Sequence, residues 1–206
     1  MSRSIDYYFT PQSPWTYLGH ARFAAIAKAA GATVRVRPID FGAVFPVSGG
    51  LPLGKRAPQR QAYRLIDLAR ISKYLGLPLN PKPKFFPVVG DDAAKLIIAV
   101  DINDGTDAAM RLCGMVFESV WVRQHNVADP KLLEALVAEC GLSPKRMEQS
   151  LSQAVQELYE DYTQQAIDAK VFGAPSYLVD GEIFWGQDRL DYLERALNPQ
   201  PSTSGA

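Results

Sequence analysis

The chain has 206 residues, 47% of them apolar and 21% charged, and its 22 basic and 22 acidic side chains cancel to a net charge of zero. That balance argues against a nucleic-acid or acidic-membrane partner, and no apolar run approaches the roughly 18 residues that span a bilayer. Two cysteines, Cys113 and Cys140, with no CxxC, and two histidines, His20 and His125, argue against a disulfide framework, a metal centre and an ordinary dithiol redox enzyme. The first seven residues hold no apolar h-region, so no secretory signal is read and a cytoplasmic location is expected.

Ile5, Tyr7 and Phe9 alternate with Asp6 and Tyr8, which predicts a strand with two unlike faces. Thr10-Pro11-Gln12 breaks it. Ser13-Pro14 reads as a helix start, with Ser as N-cap and Pro in the first turn. Trp15, Leu18, Ala21 and Ala25 continue at helical spacing, and Gly31 suits the left-handed position past the helix end. Residues 33–39 form a second strand, so the opening is a βαβ unit with parallel strands.

Four apolar stripes make the middle helical: Ala62, Leu65, Ile66 and Ala69; Ala93, Leu96, Ile97 and Val100; Met110, Cys113, Phe117 and Val120; Leu133, Leu136, Val137 and Cys140. Both cysteines thus fall on core-facing stripes and are expected to be inert packing residues. Asp129-Pro130 and Ser143-Pro144 repeat the cap-plus-proline signal, the latter opening a long helix. Residues 175–179 and 182–185 flank Asp180-Gly181, a two-residue hairpin signal, and Asp188 begins a last helix with Leu190, Leu193 and Leu197 inward.

A βαβ unit followed at a distance by ββα is the element order of a thioredoxin-like sheet. The expected fold is therefore α/β and thioredoxin-like, with a large all-helical insertion. Residues 1–45 and 171–198 make a discontinuous thioredoxin-like domain, 46–170 the inserted helical domain, and 199–206 a disordered Pro/Ser/Gly-rich tail.

In such a sheet the start of the first helix, here Ser13, is where unpaired N–H groups and the positive dipole end converge on an anion. A serine hydroxyl there can donate to a ligand's thiolate. Lowering a thiol pKa of about 8.5 by about two units takes about 2.7 kcal/mol. One charge-assisted hydrogen bond supplies about 1.5–3 kcal/mol, and the helix end about 0.3–1 more. A plain cap explains Ser-Pro equally well.

Four further segments extend the pattern: Tyr8-Phe9 through Ser13-Pro14-Trp15-Thr16-Tyr17; Lys84-Phe85-Phe86-Pro87; Val171-Phe172-Gly173-Ala174-Pro175; and Val179-Asp180-Gly181-Glu182 followed by Phe184-Trp185-Gly186-Gln187-Asp188-Arg189. In this order they resemble the 2-hydroxychromene-2-carboxylate isomerase and kappa-class glutathione transferase branch of the DsbA-like thioredoxin superfamily, over residues 5–197. The resemblance implies a glutathione cofactor whose thiol is activated by Ser13, with Pro14 and Trp15 beside it. It implies a cis Pro175, with the Ala174 backbone holding the glutathione backbone, and Gln187 and Asp188 at the γ-glutamyl end. It also implies a homodimer acting on a small aromatic substrate. Ser48-Gly49-Gly50-Leu51-Pro52 departs from the Gly-Asn-Pro-Pro common in relatives, and Gln187 replaces a frequent serine.

Lys55, Arg56, Arg60 and Arg64 make a basic stretch, either a solvated face or a carboxylate clamp, and Lys55, Arg56 and Arg64 are the candidates for a substrate carboxylate. Phe85, Phe86 and Trp15 are either core or the lining of an acceptor pocket. His20 reads as a packed or solvated helix residue rather than a base, and His125 has no assigned role. The expected activity is glutathione-dependent isomerisation. The alternatives are conjugation by a kappa-like transferase and non-catalytic peptide binding at the cis-proline edge.

Overall fold

The computed structural model describes residues 3–198, so the expected tail lies outside the described residues. The elements are β1 (Ser4–Phe9), α1 (Pro14–Ala29), β2 (Thr33–Pro38), α2 (Phe41–Ser48), α3 (Pro58–Leu75), α4 (Asp91–Asp104), α5 (Thr106–Trp121), α6 (Pro130–Glu139), α7 (Lys145–Ser150), α8 (Gln153–Asp168), β3 (Ser176–Val179), β4 (Glu182–Trp185) and α9 (Leu190–Leu197). Short 3-10 turns cover Leu53–Lys55 and Gln187–Arg189. The four strands run β2-β1-β3-β4, with β1 parallel to β2 and antiparallel to β3. This mixed sheet, entered by βαβ and completed by a hairpin and helix, is a DsbA-like thioredoxin fold. The hairpin turns on Asp180 (φ 50°) and Gly181 (φ 86°), both left-handed as a primed turn requires.

Two apolar clusters sandwich the sheet. One joins Ile5, Tyr7 and Phe9 to α1, α5, α6 and α9; the other joins Tyr8 to α2 and α8. Helix α4 belongs to both, with Leu96 and Ile97 in the first and Ala94 and Ile98 in the second. It is apolar nearly all round and is buried accordingly.

Several expectations need correction. β1 has its two unlike faces, but as a central strand it is covered on both, so Tyr8 is core and Asp6 is 8% exposed. The Asp6 carboxylate is held by Arg35 at 2.6 Å and Arg37 at 3.5 Å. On α3 the stripe is misplaced, because Ala62, Ile66 and Ala69 are exposed and the buried side carries Arg64 and Leu68. The long helix after Ser143 is two helices, parted at Leu151–Ser152, where the Ser152 hydroxyl accepts from the Val155 N–H and opens α8. Cys113 is fully buried, whereas Cys140 is half-buried. Helix α2 was not foreseen. Asp40 caps it, accepting from the Gly42 N–H at 2.6 Å, and Gly49 closes it at φ 74°.

Candidate active site

Ser13 sits four residues beyond β1 and caps α1 with extended backbone (φ −78°, ψ 122°). Its N–H donates to the Thr10 carbonyl at 3.0 Å and its carbonyl accepts from the Tyr17 N–H at 3.1 Å. Its Oγ accepts from the Thr16 N–H at 3.2 Å, and among the described residues no acceptor takes its own proton. The residue is 7% exposed. A hydroxyl locked as acceptor on one side, with a proton to give on the other and a helix N-terminus behind it, is built to face an anion.

Opposite Ser13 runs the segment before β3. The Ala174–Pro175 bond is cis, as is Phe86–Pro87, the latter unexpected. The Pro175 carbonyl accepts from the Gly186 N–H at 2.9 Å, and the Gly173 carbonyl from Ser176 Oγ at 2.7 Å. Between them the N–H and C=O of Ala174 have no partner among the described residues. A half-buried peptide group left open in this way offers an extended ligand both a donor and an acceptor. Gly173 must lack a Cβ, which would collide with the Trp185 indole nitrogen, and Trp185 meets the Phe172 ring edge-on at 4.7 Å.

Two neighbouring cavities flank this pair. The first, about 610 Å³, is lined by Ser13, Pro14, Phe41, Phe45 and Phe86 and by the 48–51 stretch. The second, about 500 Å³, holds Gln187 and Asp188. Trp15, Arg56, Arg60, Arg64, Ala174 and Trp185 line both. Gln187 is buried against Gly19, and Asp188 pairs with Arg189 at 2.9 Å.

The structure thus brings Ser13, Pro14, Trp15, Ala174, Gln187, Asp188, Arg56, Arg64 and Phe86 to one pair of cavities. Pro175, Lys55 and Phe85 line neither: Lys55 is exposed, and Phe85 is 40% exposed, with the Lys84 ammonium over its ring. Phe41, Phe45 and Trp185 were missed as lining residues, while Arg60, named in the basic stretch, lines both cavities without having been a substrate candidate. For the first two, the Asp40 and Gly49 bracket was a readable signal.

The charged side chains of the first cavity, Arg56, Arg60 and Arg64, are all positive, and the second adds Asp67, Asp188 and Arg189. Arg64 is 9% exposed, with no ion pair or hydrogen bond among the described residues. Its guanidinium lies 5.1 Å from the Phe86 ring centre and 5.7 Å from that of Trp121. Burial, and then the Arg56 charge, pull its pKa down to about 10. Arg56 donates from Nε to the Leu51 carbonyl at 2.8 Å, and its pKa too is lowered by burial and then by Arg60.

His20 is buried on the far side of α1. Its Nε2 lies 2.9 Å from the Met110 carbonyl, which can only accept, so Nε2 carries the proton and Nδ1 accepts from the Tyr7 hydroxyl at 3.2 Å. Burial lowers its pKa to about 4 and keeps it neutral, a packing role. Among the described residues no helix is long and apolar enough to cross a membrane, and no cluster of three His, Cys, Asp or Glu side chains could hold a metal.

With this fold and site in view, the chain belongs to the DSBA-like thioredoxin domain family, whose model matches residues 4–198. Within it, the curated relatives are isomerases and kappa-class transferases. A 2-hydroxychromene-2-carboxylate isomerase of Pseudomonas putida is 32% identical over 94% of this chain and 93% of its own. Glutathione S-transferase kappa 1 of Caenorhabditis elegans is 27% identical over 96% of this chain and 92% of its own. The solved structure of a 2-hydroxychromene-2-carboxylate isomerase superposes with a TM-score of 0.76 at 28% identity, covering 95% of this chain and 94% of that one.

Proposed function

We propose that the protein is a glutathione-dependent isomerase that interconverts 2-hydroxychromene-2-carboxylate and trans-o-hydroxybenzylidenepyruvate, or a related conjugated aromatic acid. The observation that carries this reading is the Ser13 hydroxyl, with its proton unclaimed at the α1 N-terminus, facing a cavity shared with the open Ala174 peptide group. These groups fit glutathione: the peptide group can pair with its backbone, the Asp188 carboxylate can accept from the γ-glutamyl ammonium in the second cavity, and Ser13 can donate to the sulfur. Bound there, glutathione supplies a thiolate that adds reversibly to the conjugated carbon, makes the double bond rotatable and is returned unchanged.

The chain's own residues set the rest. Ser13 and the helix end hold the sulfur as an anion. Phe41, Phe45 and Phe86 give the aryl group an apolar wall, and the arginines of α3 supply the cation that an acidic substrate needs. The test is turnover with glutathione well below the substrate concentration. Conversion to the equilibrium mixture, many turnovers per glutathione and with undiminished free thiol, is expected. Loss of one thiol per turnover would make the protein a conjugating transferase. Failure to bind glutathione by calorimetry would remove both enzyme readings in favour of peptide binding.

A further inference from the structure

Three cations reach the cavities from α3 and the turn before it, and they are not equivalent. Arg60 is exposed and Arg56 half-buried with its Nε already bound to Leu51, and surface guanidinium pairs contribute little in water. Arg64 is the exception, a buried residue that lines both cavities and whose guanidinium has ring contacts but no ion pair or hydrogen bond among the described residues. A buried cation is costly unless paired, and a folded chain rarely leaves one open without a ligand to meet it. Phe86 and Trp121 meet it with their rings, 5.1 and 5.7 Å from the guanidinium carbon to the ring centres, and its N–H donors have no hydrogen-bond acceptor among the described residues. An edge of parallel N–H donors matches a carboxylate in two-point geometry.

Position adds the substrate side. Phe86 carries Arg64 on its ring and also lines the Ser13 cavity with Phe41 and Phe45. A carboxylate held at Arg64 therefore leaves the attached conjugated chain and aryl group in the apolar cavity beside Ser13. Resting on the functional reading above, we infer that Arg64 is the carboxylate receptor of the site, and that it restricts the electrophile to conjugated aryl acids and turns away their neutral counterparts. Arg56, Arg60 and Lys55 do not carry that selection.

Glutathione also has a carboxylate at its glycyl end, so the test separates the two sources. The probes are trans-o-hydroxybenzylidenepyruvate and its methyl ester, whose binding is followed by quenching of tryptophan fluorescence without turnover. Wild-type protein should bind the acid about 50-fold more tightly than the ester. This preference should survive in high salt, because a buried pair is poorly screened. Arg64→Gln should bring acid and ester within about threefold of each other, and Arg64→Lys should restore only part of the difference, since it offers a point charge without the fork. Glutathione affinity of both variants should stay within about threefold of wild type.

A preference that persists in Arg64→Gln, or that collapses with salt in the wild type, overturns the assignment in favour of the exposed arginines. A loss of glutathione binding with the acid preference intact overturns it in favour of the glycyl carboxylate. If Arg64→Gln does not fold, the acid-to-ester ratio of Arg64→Lys decides, with an unchanged ratio refuting the proposal. Because the binding arm needs no catalysis, failure of the isomerase reading would show separately, as acid-selective binding without turnover.

Discussion

Ser13→Ala removes one oxygen and leaves the backbone of the α1 start in place, so it isolates the hydroxyl's share of thiolate stabilisation. On the proposed function, a thiol bound to the wild type and brought down from about 8.5 to about 6.5 is roughly three-quarters ionised at pH 7. If the Ser13 hydrogen bond contributes about 1.5–3 kcal/mol, its loss raises that pKa by about 1.1–2.2 units and leaves only about 2–20% thiolate at the same pH. The helix end alone, worth about 0.3–1 kcal/mol, cannot hold the anion at neutral pH. The assay is a pH titration of thiolate absorbance at about 240 nm with saturating glutathione, wild type beside variant. The same substitution removes the acceptor for the Thr16 N–H, so a parallel drop of about 0.5–2 kcal/mol in unfolding free energy is expected. A variant that keeps a wild-type thiolate titration while losing only stability would refute the reasoning and make Ser13 a helix cap.

Three further outcomes are expected. His20 titrates near 6.5 unfolded but at about 4 in the native state, so the unfolded chain takes up the proton first and stability falls as pH drops between those values. Relative to His20→Gln, wild type should lose about 3 kcal/mol between neutral pH and pH 4 in urea unfolding, and parallel curves would refute the buried neutral imidazole. Leu68 is the fully buried anchor of α3, and Leu68→Ala should cost about 2–5 kcal/mol in the same assay, a loss below about 1 kcal/mol showing that α3 docks by other means. Burial raises the pKa of both thiols, most of all Cys113, so a thiol reagent should reach at most Cys140 before denaturant is added; two reactive thiols in native protein would contradict the packing.

The parts legible in the sequence were those written locally. Ser13-Pro14, Asp129-Pro130 and Asp180-Gly181 each state their own geometry in two residues, and each is where it was expected. Errors arose where tertiary contacts decide. The Asp6 and Tyr8 side of β1 looks solvated in one dimension, but α2 and α8 cover it and Arg35 and Arg37 neutralise the acid. On α3 the stripe was drawn through Ala62 and Ile66 because arginine scores as polar, yet the inward side carries Arg64 over two aromatic rings. No periodicity rule reports a buried charge kept open for a ligand. Trp185 was not read as a lining residue for a related reason: its position over Gly173 is a contact between β4 and a residue twelve positions earlier.

The two cores grip β1 from opposite sides, and Ser13 follows that strand by four residues, so the floor of the site is fixed by the whole molecule. The wall is held differently. Helix α3, with Arg60 and Arg64, has α1 as its main neighbour and a single fully buried aliphatic side chain, Leu68. Changes in this helix can redraw the cavity wall without disturbing the Ser13 hydroxyl. On the function proposed above, a lineage built on this plan exchanges substrates by redrawing one helix, and one floor serves isomerisation in one case and conjugation in another.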